Sequence, residues 1–424
     1  MFLQANKIKH FHLILRQCCL NYQQGFDFKK NRGLQNKLQF ILLIYTFVQY
    51  LFFYLSISMN DHLLHSIALT LVPGIGDIYG RKLIQHCGSA EAVFKEKKDR
   101  LAKIEGIGSS PLKYLSAKEH LKKAEKEIKF MNRYGIQGLL IDQKEYPFRL
   151  KQCADAPLIL YYKGNASLNP RKVISIIGTR RATDYGRSFC ESFLQALAPL
   201  DPLIVSGLAL GIDGCAHREA MNNQLSTIGV LGHGLDRIYP TQHRNLAAQM
   251  VEQGGLLTDF LSETIPDREN FPKRNRIVAG MCDATVVVEA GDKGGALITA
   301  DIANSYSRDV FAVPGRINDP WSMGCNRYIK SQKAAMIENA ADLIYQMGWT
   351  EEISQPKNIQ TKLFIELNET ERNVIEILHG KGSLGLDEIA YTLGQSVGST
   401  SALLLAMEFK SLIKSLPGKM YRAV

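Results

Sequence analysis

The residues best suited to chemistry are a run of cations set among glycines. Arg180 and Arg181 stand in Gly178-Thr-Arg-Arg181, directly after the apolar run Val173–Ile177. A guanidinium donates in a planar fork that matches phosphate, so two adjacent arginines beside a glycine point to anion binding. The alternative is a structural ion pair with Asp213 or Asp184. A second basic group, Lys273, Arg274, Asn275 and Arg276, follows Phe271-Pro272. Pro272 fits the first position of a helix, which would put Lys273, Arg274 and Asn275 in its first turn. Cations are unfavourable at that positive dipole end, so their clustering makes sense with a bound anion. Phe271, just outside such a cap, could stack on a base or serve as a hydrophobic staple.

The elements that must position these residues recur through the middle of the chain. Short apolar runs at Val173–Ile177, Leu203–Val205, Thr227–Leu231 and Ala284–Glu289 each lead into a turn rich in Gly, Ser, Thr or His. In a parallel α/β sheet such turns gather at the carboxyl ends of the strands, where ligands bind. Their free N–H groups suit phosphate, and Gly294 and Gly295 after the fourth run could add secondary contacts. The first turn is not G-x-G-x-x-G, and Ser206 stands where a dinucleotide site places an acid, so a dinucleotide cofactor is not expected.

Catalytic and metal signatures are missing from the sequence. Ser206, Asp213 and His217 lack a G-x-S-x-G elbow, although Asp213 and His217 are spaced to share a helix face, with the carboxylate orienting the imidazole. No H-E-x-x-H, Walker motif or carboxylate cluster occurs, and the eight cysteines form no C-x-x-C pair. The expectation is no catalytic residue, no metal and no cofactor, in a cytoplasmic protein with reduced thiols.

Outside this region the chain divides further. Residues 1–58 hold +6 of the net charge of +10, leaving only +4 elsewhere, so global charge says little about partners. Leu38 to Asn60 is free of charge and long enough to span a membrane, yet Met59 opens an ordinary soluble start. The reading taken is a misplaced start, with a membrane anchor as the lesser alternative. Residues 59–149 read as helical. They repeat an apolar-x-Gly-apolar-Gly unit at Val72–Gly76 and Ile104–Gly108, the turn of a helix-hairpin-helix. There Gly74, Gly76, Gly106 and Gly108 would either approach DNA phosphates or serve packing alone. The α/β region spans 150–349 and a polar linker 350–362. Residues 363–424 then read as three helices and a hairpin turning at Pro417-Gly418, the winged-helix order. The third helix, from Ser396 to Lys410, carries no base before Lys410, which favours an interaction module over a base reader.

In their order, Ile177-Gly-Thr-Arg-Arg-Ala-Thr183, Val205-Ser-Gly-Leu-Ala-Leu-Gly-Ile-Asp-Gly-Cys-Ala-His217, Gly229 to Pro240, Phe271-Pro-Lys-Arg-Asn-Arg-Ile277 and Gly294-Gly-Ala-Leu-Ile-Thr299 closely resemble the bacterial DNA-processing protein A (DprA/Smf) family, from Met59 onward. The resemblance implies an extended Rossmann-like core, an amino-terminal helical domain of helix-hairpin-helix or SAM-like type, and a winged-helix-like carboxyl domain. It also implies a homodimer that binds single-stranded DNA and helps load the recombinase RecA during natural transformation, with no small-molecule substrate. By that pattern the pocket maps to Arg180, Arg181, Ser206, Gly207 and Lys273 to Arg276. His233 departs from the small residue usual in its turn. Two other readings compete: a nucleotide phosphoribohydrolase of the Lonely-guy type, whose acid is missing from Gly291–Thr299, and a winged-helix DNA-binding regulator.

Overall fold

A computed structural model describes residues 61–115, 118–349, 367–410 and 412–423. The apolar extension 1–58 and the linker 350–362 lie outside the described residues. Among the described residues no helix is long and apolar enough to cross a membrane.

The α/β character is explicit in a nine-stranded sheet whose outer strands are β1 (Gln137–Leu140), β2 (Ile159–Gly164), β8 (Asp309–Ala312) and β9 (Ala335–Met336), in the order β1-β2-β6-β5-β4-β3-β7-β8-β9. Its seven successive strands from β6 to β9 pair in parallel, and β1 and β2 extend it antiparallel. The strands bearing the site are β3 (Val173–Ile177), β4 (Leu203–Ser206), β5 (Thr227–Val230), β6 (Gly255–Thr258) and β7 (Ala284–Val287). Each is wholly buried, because helices cover both faces; such strands read as near-continuous apolar runs instead of alternating ones.

The period of two still assigns each side chain to a layer. Val173 and Ile177 of β3 pack with Ile277 and Leu297 on one face, and Ile174 and Ile176 with Phe193 and Ile212 on the other. Each fully buried Val or Ile contributes about 1.5–3 kcal/mol. Ser175, between them, hydrogen-bonds Thr285 at 2.8 Å, which satisfies two hydroxyls inside the sheet. From β3 the chain moves outward to β6, then returns to lay β7 on the other side of β3. That reversal is a topological switch point, where the crossover turns diverge and leave a crevice at the carboxyl ends.

The amino-terminal helices are α1 (61–70), α2 (Asp77–Cys87), α3 (Ala90–Lys95), α4 (Lys98–Leu101), α5 (Ser109–Leu112) and α6 (Lys118–Tyr134). Gly74 and Gly106 both adopt left-handed φ, +81° and +82°, and Gly76 and Gly108 cap the helices that follow. The two turns are therefore conformational copies. At the other end, α15 (Glu369–Lys381), α16 (Leu386–Leu393) and α17 (Val397–Phe409) precede a hairpin of β11 (Ile413–Leu416) and β12 (Met420–Ala423). A short strand, β10 (Leu384–Gly385), pairs with β12 and has no signal in the sequence beyond two residues.

Candidate nucleic-acid site

Four helices start on the carboxyl rim around the switch point: α8 (Asp184–Leu197), α9 (Ile212–Asn222), α11 (Asn270–Gly280) and α12 (Gly295–Ser305). The turn after β3 is held from both sides. Thr179 N–H donates to Glu289 O at 2.7 Å, and Thr179 O accepts from Ile212 N–H at 3.1 Å. The Glu289 carboxylate, buried at the end of β7, accepts the Thr183 N–H at 3.0 Å and its hydroxyl, so it anchors the start of α8. Gly211 (φ +81°) passes so close to the same turn that a Cβ would lie 2.1 Å from Thr179 O. The loop carrying Arg180 is therefore rigid.

A cleft of about 390 Å³ opens between these turns. Gly178, Thr179, Arg180, Gly207, Phe271, Arg274, Asn275, Lys293, Gly294 and Gly295 border it, with Trp321 closing one wall. Arg180 is exposed, and its guanidinium lies over the Phe271 ring, 5.5 Å from the centroid. Among the described residues it has no carboxylate partner: Asp184 pairs with Arg187, and Asp213 accepts the Gly207 and Ala209 N–H groups. Gly294 and Gly295 have nothing within 4 Å of a built Cβ, so the start of α12 presents open backbone beside exposed Lys293. Unpartnered N–H groups at a helix start attract anions.

Arg274 reaches the cleft from below. It is 5% exposed, donates to Val230 O, and lies so close to Gly207 that a Cβ there would meet its guanidinium at 2.3 Å. Gly207 thus makes room for the arginine. Burial pushes the Arg274 pKa down to about 10, although the Asp213 carboxylate opposes this. Burial also raises the Asp213 pKa, and Arg274 is the main opposing influence. The floor of the cleft is an arginine and a carboxylate that compensate each other in a dry environment.

Several expectations need correction. The helix carrying the second basic group starts at Asn270, two residues before Pro272. Phe271 therefore lies inside the first turn, and Arg274 and Asn275 fall beyond it. Arg274 is buried, not exposed on the rim. Arg276 leaves the cleft altogether. It pairs with Asp77 of α2 at 2.8 Å and Asp259 at 2.7 Å and donates to Asp155 O. Despite burial, those two carboxylates hold its pKa above the usual range. Lys273 is exposed on the Arg276 flank of α11, and Arg181 is exposed without bordering the cleft. The Ser206 hydroxyl is fully buried and donates to Ile176 O at 2.6 Å. Asp213 and His217 make no pair: His217 Nδ1 meets Thr227 Oγ1 at 2.7 Å instead. Of the hairpin glycines, Gly76 leads into Asp77, whose carboxylate accepts Leu158 N–H at 3.0 Å, while Gly76 itself is exposed with nothing within 4 Å of a built Cβ. Gly106 has only Lys82 Nζ near a built Cβ, and Gly108 has nothing.

Sequence reasoning missed Lys293, Trp321 and Asp213 as cleft residues. Lys293 had a usable signal, a cation next to two glycines after a strand. Trp321 had none, because it arrives from a loop after β8 and is fixed by Ala290 N–H donating to Trp321 O at 2.7 Å.

The sequence profile of the family described as DNA recombination-mediator protein A matches residues 137–348, which contain every cleft residue named above. The protein Smf of Synechocystis is 30% identical over 395 residues, 86% of this chain and 99% of that one. A putative DNA processing protein DprA of Mycobacterium tuberculosis is 32% identical over 351 residues, 80% of this chain and 88% of the relative. The crystal structure of DNA processing protein A from Streptococcus pneumoniae superposes with a TM-score of 0.58 at 31% identity, covering 66% of this chain and 96% of that one. With the profile matching half its length and a relative 30% identical across 86% of it, the chain belongs to the DNA recombination-mediator protein A family.

Proposed function

We propose that the cleft holds the backbone of single-stranded DNA, and that the protein acts in the cytoplasm as a non-enzymatic mediator that protects incoming DNA and helps load RecA during natural transformation. The observation that carries this reading is Arg180: exposed, without a carboxylate partner among the described residues, and stacked on Phe271 beside open glycine N–H groups. That combination suits a phosphate and an adjacent unstacked base. Family membership supports it, since the family's description names recombination mediation. In this reading Arg180, Phe271, Asn275, Lys293, Gly294 and Gly295 touch the strand, Gly178 and Gly207 shape its bed, and Arg274 charges the floor. Arg181 and Lys273 would meet phosphates outside the cleft.

The same reading takes residues 59–149, 150–349 and 363–424 as three domains: a helix-hairpin-helix domain, a Rossmann-like core and a winged-helix-like domain. It takes the protein as a homodimer. Gly76, Gly106 and Gly108 are the hairpin glycines with most open space for a secondary phosphate contact, and Gly74, though exposed, has Pro111 against it.

A gel-shift comparison of single- and double-stranded DNA tests the proposal. Binding should prefer single strands, tolerate any sequence and weaken with salt by about 0.7 in log affinity per log salt for each phosphate contact. A flat salt response would refute it. Release of free base from a nucleoside monophosphate would favour the phosphoribohydrolase reading instead.

A further inference from the structure

We propose that the exposed basic face of α6 is a second contact surface, along which the DNA strand continues after leaving the cleft; this rests on the cleft being a single-strand site. Lys118, Lys122, Lys126, Lys129 and Arg133 recur at helical spacing. At 3.6 residues per turn they fall within an arc of about 80°, over about 22 Å of helix. The opposite face is buried through His120, Ala124, Glu127 and Met131, so the cations have one direction to point.

The stripe is only partly neutralised: exposed Glu119 and Glu125 border it, against five cations. Lys126 pairs with Glu263 at 2.9 Å, but Lys118, Lys122, Lys129 and Arg133 have no carboxylate partner among the described residues. Like charges at i, i+4 repel. A polyanion relieves that cost, whereas an isolated solvated face gains nothing from it. The stripe also ends on an aromatic. Arg133 lies over the Tyr134 ring, 5.5 Å from its centroid, and that ring is 46% exposed and backed by Phe130 at 4.7 Å. Cations interleaved with an exposed ring suit a single strand, whose phosphates and unstacked bases both need partners.

Placement connects this face to the cleft. Glu127 accepts the Ser262 N–H at 3.0 Å, and the Lys126–Glu263 pair lies beside it. Both bonds fasten α6 to the loop running from the carboxyl end of β6 to Asn270, where α11 starts and carries Phe271 to the cleft. Eight residues separate Ser262 from Asn270, a reach of at most about 28 Å. The point where α6 is fastened, at Ser262 and Glu263, therefore lies within about 28 Å of the start of the helix that carries Phe271.

The test uses the full chain carrying Lys118→Ala, Lys122→Ala, Lys129→Ala and Arg133→Ala together. Alanine is the best helix former, so α6 is retained. Affinities are measured for oligothymidylates of about 6 and about 30 nucleotides, the shorter sized to one pocket. For the longer strand affinity should fall about tenfold or more at physiological salt, with the salt slope reduced by about 0.7 for each phosphate no longer neutralised. For the shorter strand it should not change. Unaltered binding of the longer strand overturns the proposal, and so does an equal loss at both lengths. Arg180→Ala, run in parallel, should weaken both lengths. If it leaves the shorter strand bound, the cleft reading fails on its own, whatever the quadruple variant of α6 does.

Discussion

Arg180 and Arg274 approach the same cleft with opposite energetic backgrounds. Arg180 is exposed and has no carboxylate partner among the described residues, so Arg180→Ala should leave the melting temperature unchanged. Its loss should weaken single-strand binding by about 1.5–3 kcal/mol, roughly ten- to a hundredfold. Arg274→Ala should weaken binding too, but it also removes the cation that opposes the rise of the buried Asp213 pKa, leaving that carboxylate the Gly207 and Ala209 N–H groups alone. This variant should therefore melt below the parent. Measuring melting and affinity on the same two variants separates the roles. A third residue sets a pH dependence. His217 is fully buried, and burial pushes its pKa down to about 3, so it stays neutral in the fold. In the unfolded chain it takes a proton below about pH 6.5. Stability is therefore complete above that pH and falls as pH drops toward 3, by up to about 1.4 kcal/mol per pH unit. Urea midpoints at pH 7 and pH 5 should differ less in His217→Gln than in the parent.

At the scale of elements, α11 divides its work between two flanks. Phe271, Arg274 and Asn275 face the cleft, while Arg276, five residues after Phe271, ties the helix to Asp77 of α2 and to Asp259 at the end of β6. A helix fixed at its outer flank holds the inner flank in register with Arg180. Arg276→Ala should accordingly destabilise the protein by about 3 kcal/mol, since it leaves two half-buried carboxylates without a counter-charge. The salt slope of DNA binding should stay as in the parent, because no phosphate contact is removed. A slope lower by about 0.7 would instead make Arg276 a direct contact. The run Lys273–Arg276 was legible as a basic group, but not its division. Successive side chains on a helix point about 100° apart, so neighbours in the run meet different partners, and the helix starts two residues before Pro272 because proline is tolerated throughout the first turn.

On the whole-molecule scale, the carboxyl-terminal helices and hairpin fasten to the edge of the sheet opposite the cleft, near the amino ends of β3, β7 and β8 (Asp309–Ala312). Buried Arg308 pairs with Asp387 of α16, Arg171 donates to Ser383 O at 3.0 Å, and Phe148 meets Tyr391 at 5.3 Å. The hairpin turn is part of this joint: a Cβ on Gly418 would lie 2.3 Å from Met347 O, and Lys419 donates to Ser307 O. A turn used this way is not free to touch a duplex. Arg308→Ala should detach the module, and calorimetry should then show two melting transitions where the parent shows one. The parent should bind duplex DNA no better than a chain ending at Trp349.

What the sequence determined alone was whatever depends on neighbours along the chain. The apolar runs of β3, β4, β5 and β7 announced buried parallel strands, and the glycine turns announced a carboxyl-end site; β6 was not announced. Asn368 and Glu371 stand three apart at the start of α15 and form a complete capping box there. Tertiary structure decided everything that depends on which charge meets which. Three arginines of one motif family look alike in sequence, yet Arg180 is solvated, Arg274 is buried over Gly207 and Arg276 is spent on Asp77, 199 residues away. Burial and counter-charge set what an arginine can do, and both are properties of distant segments brought together by the sheet.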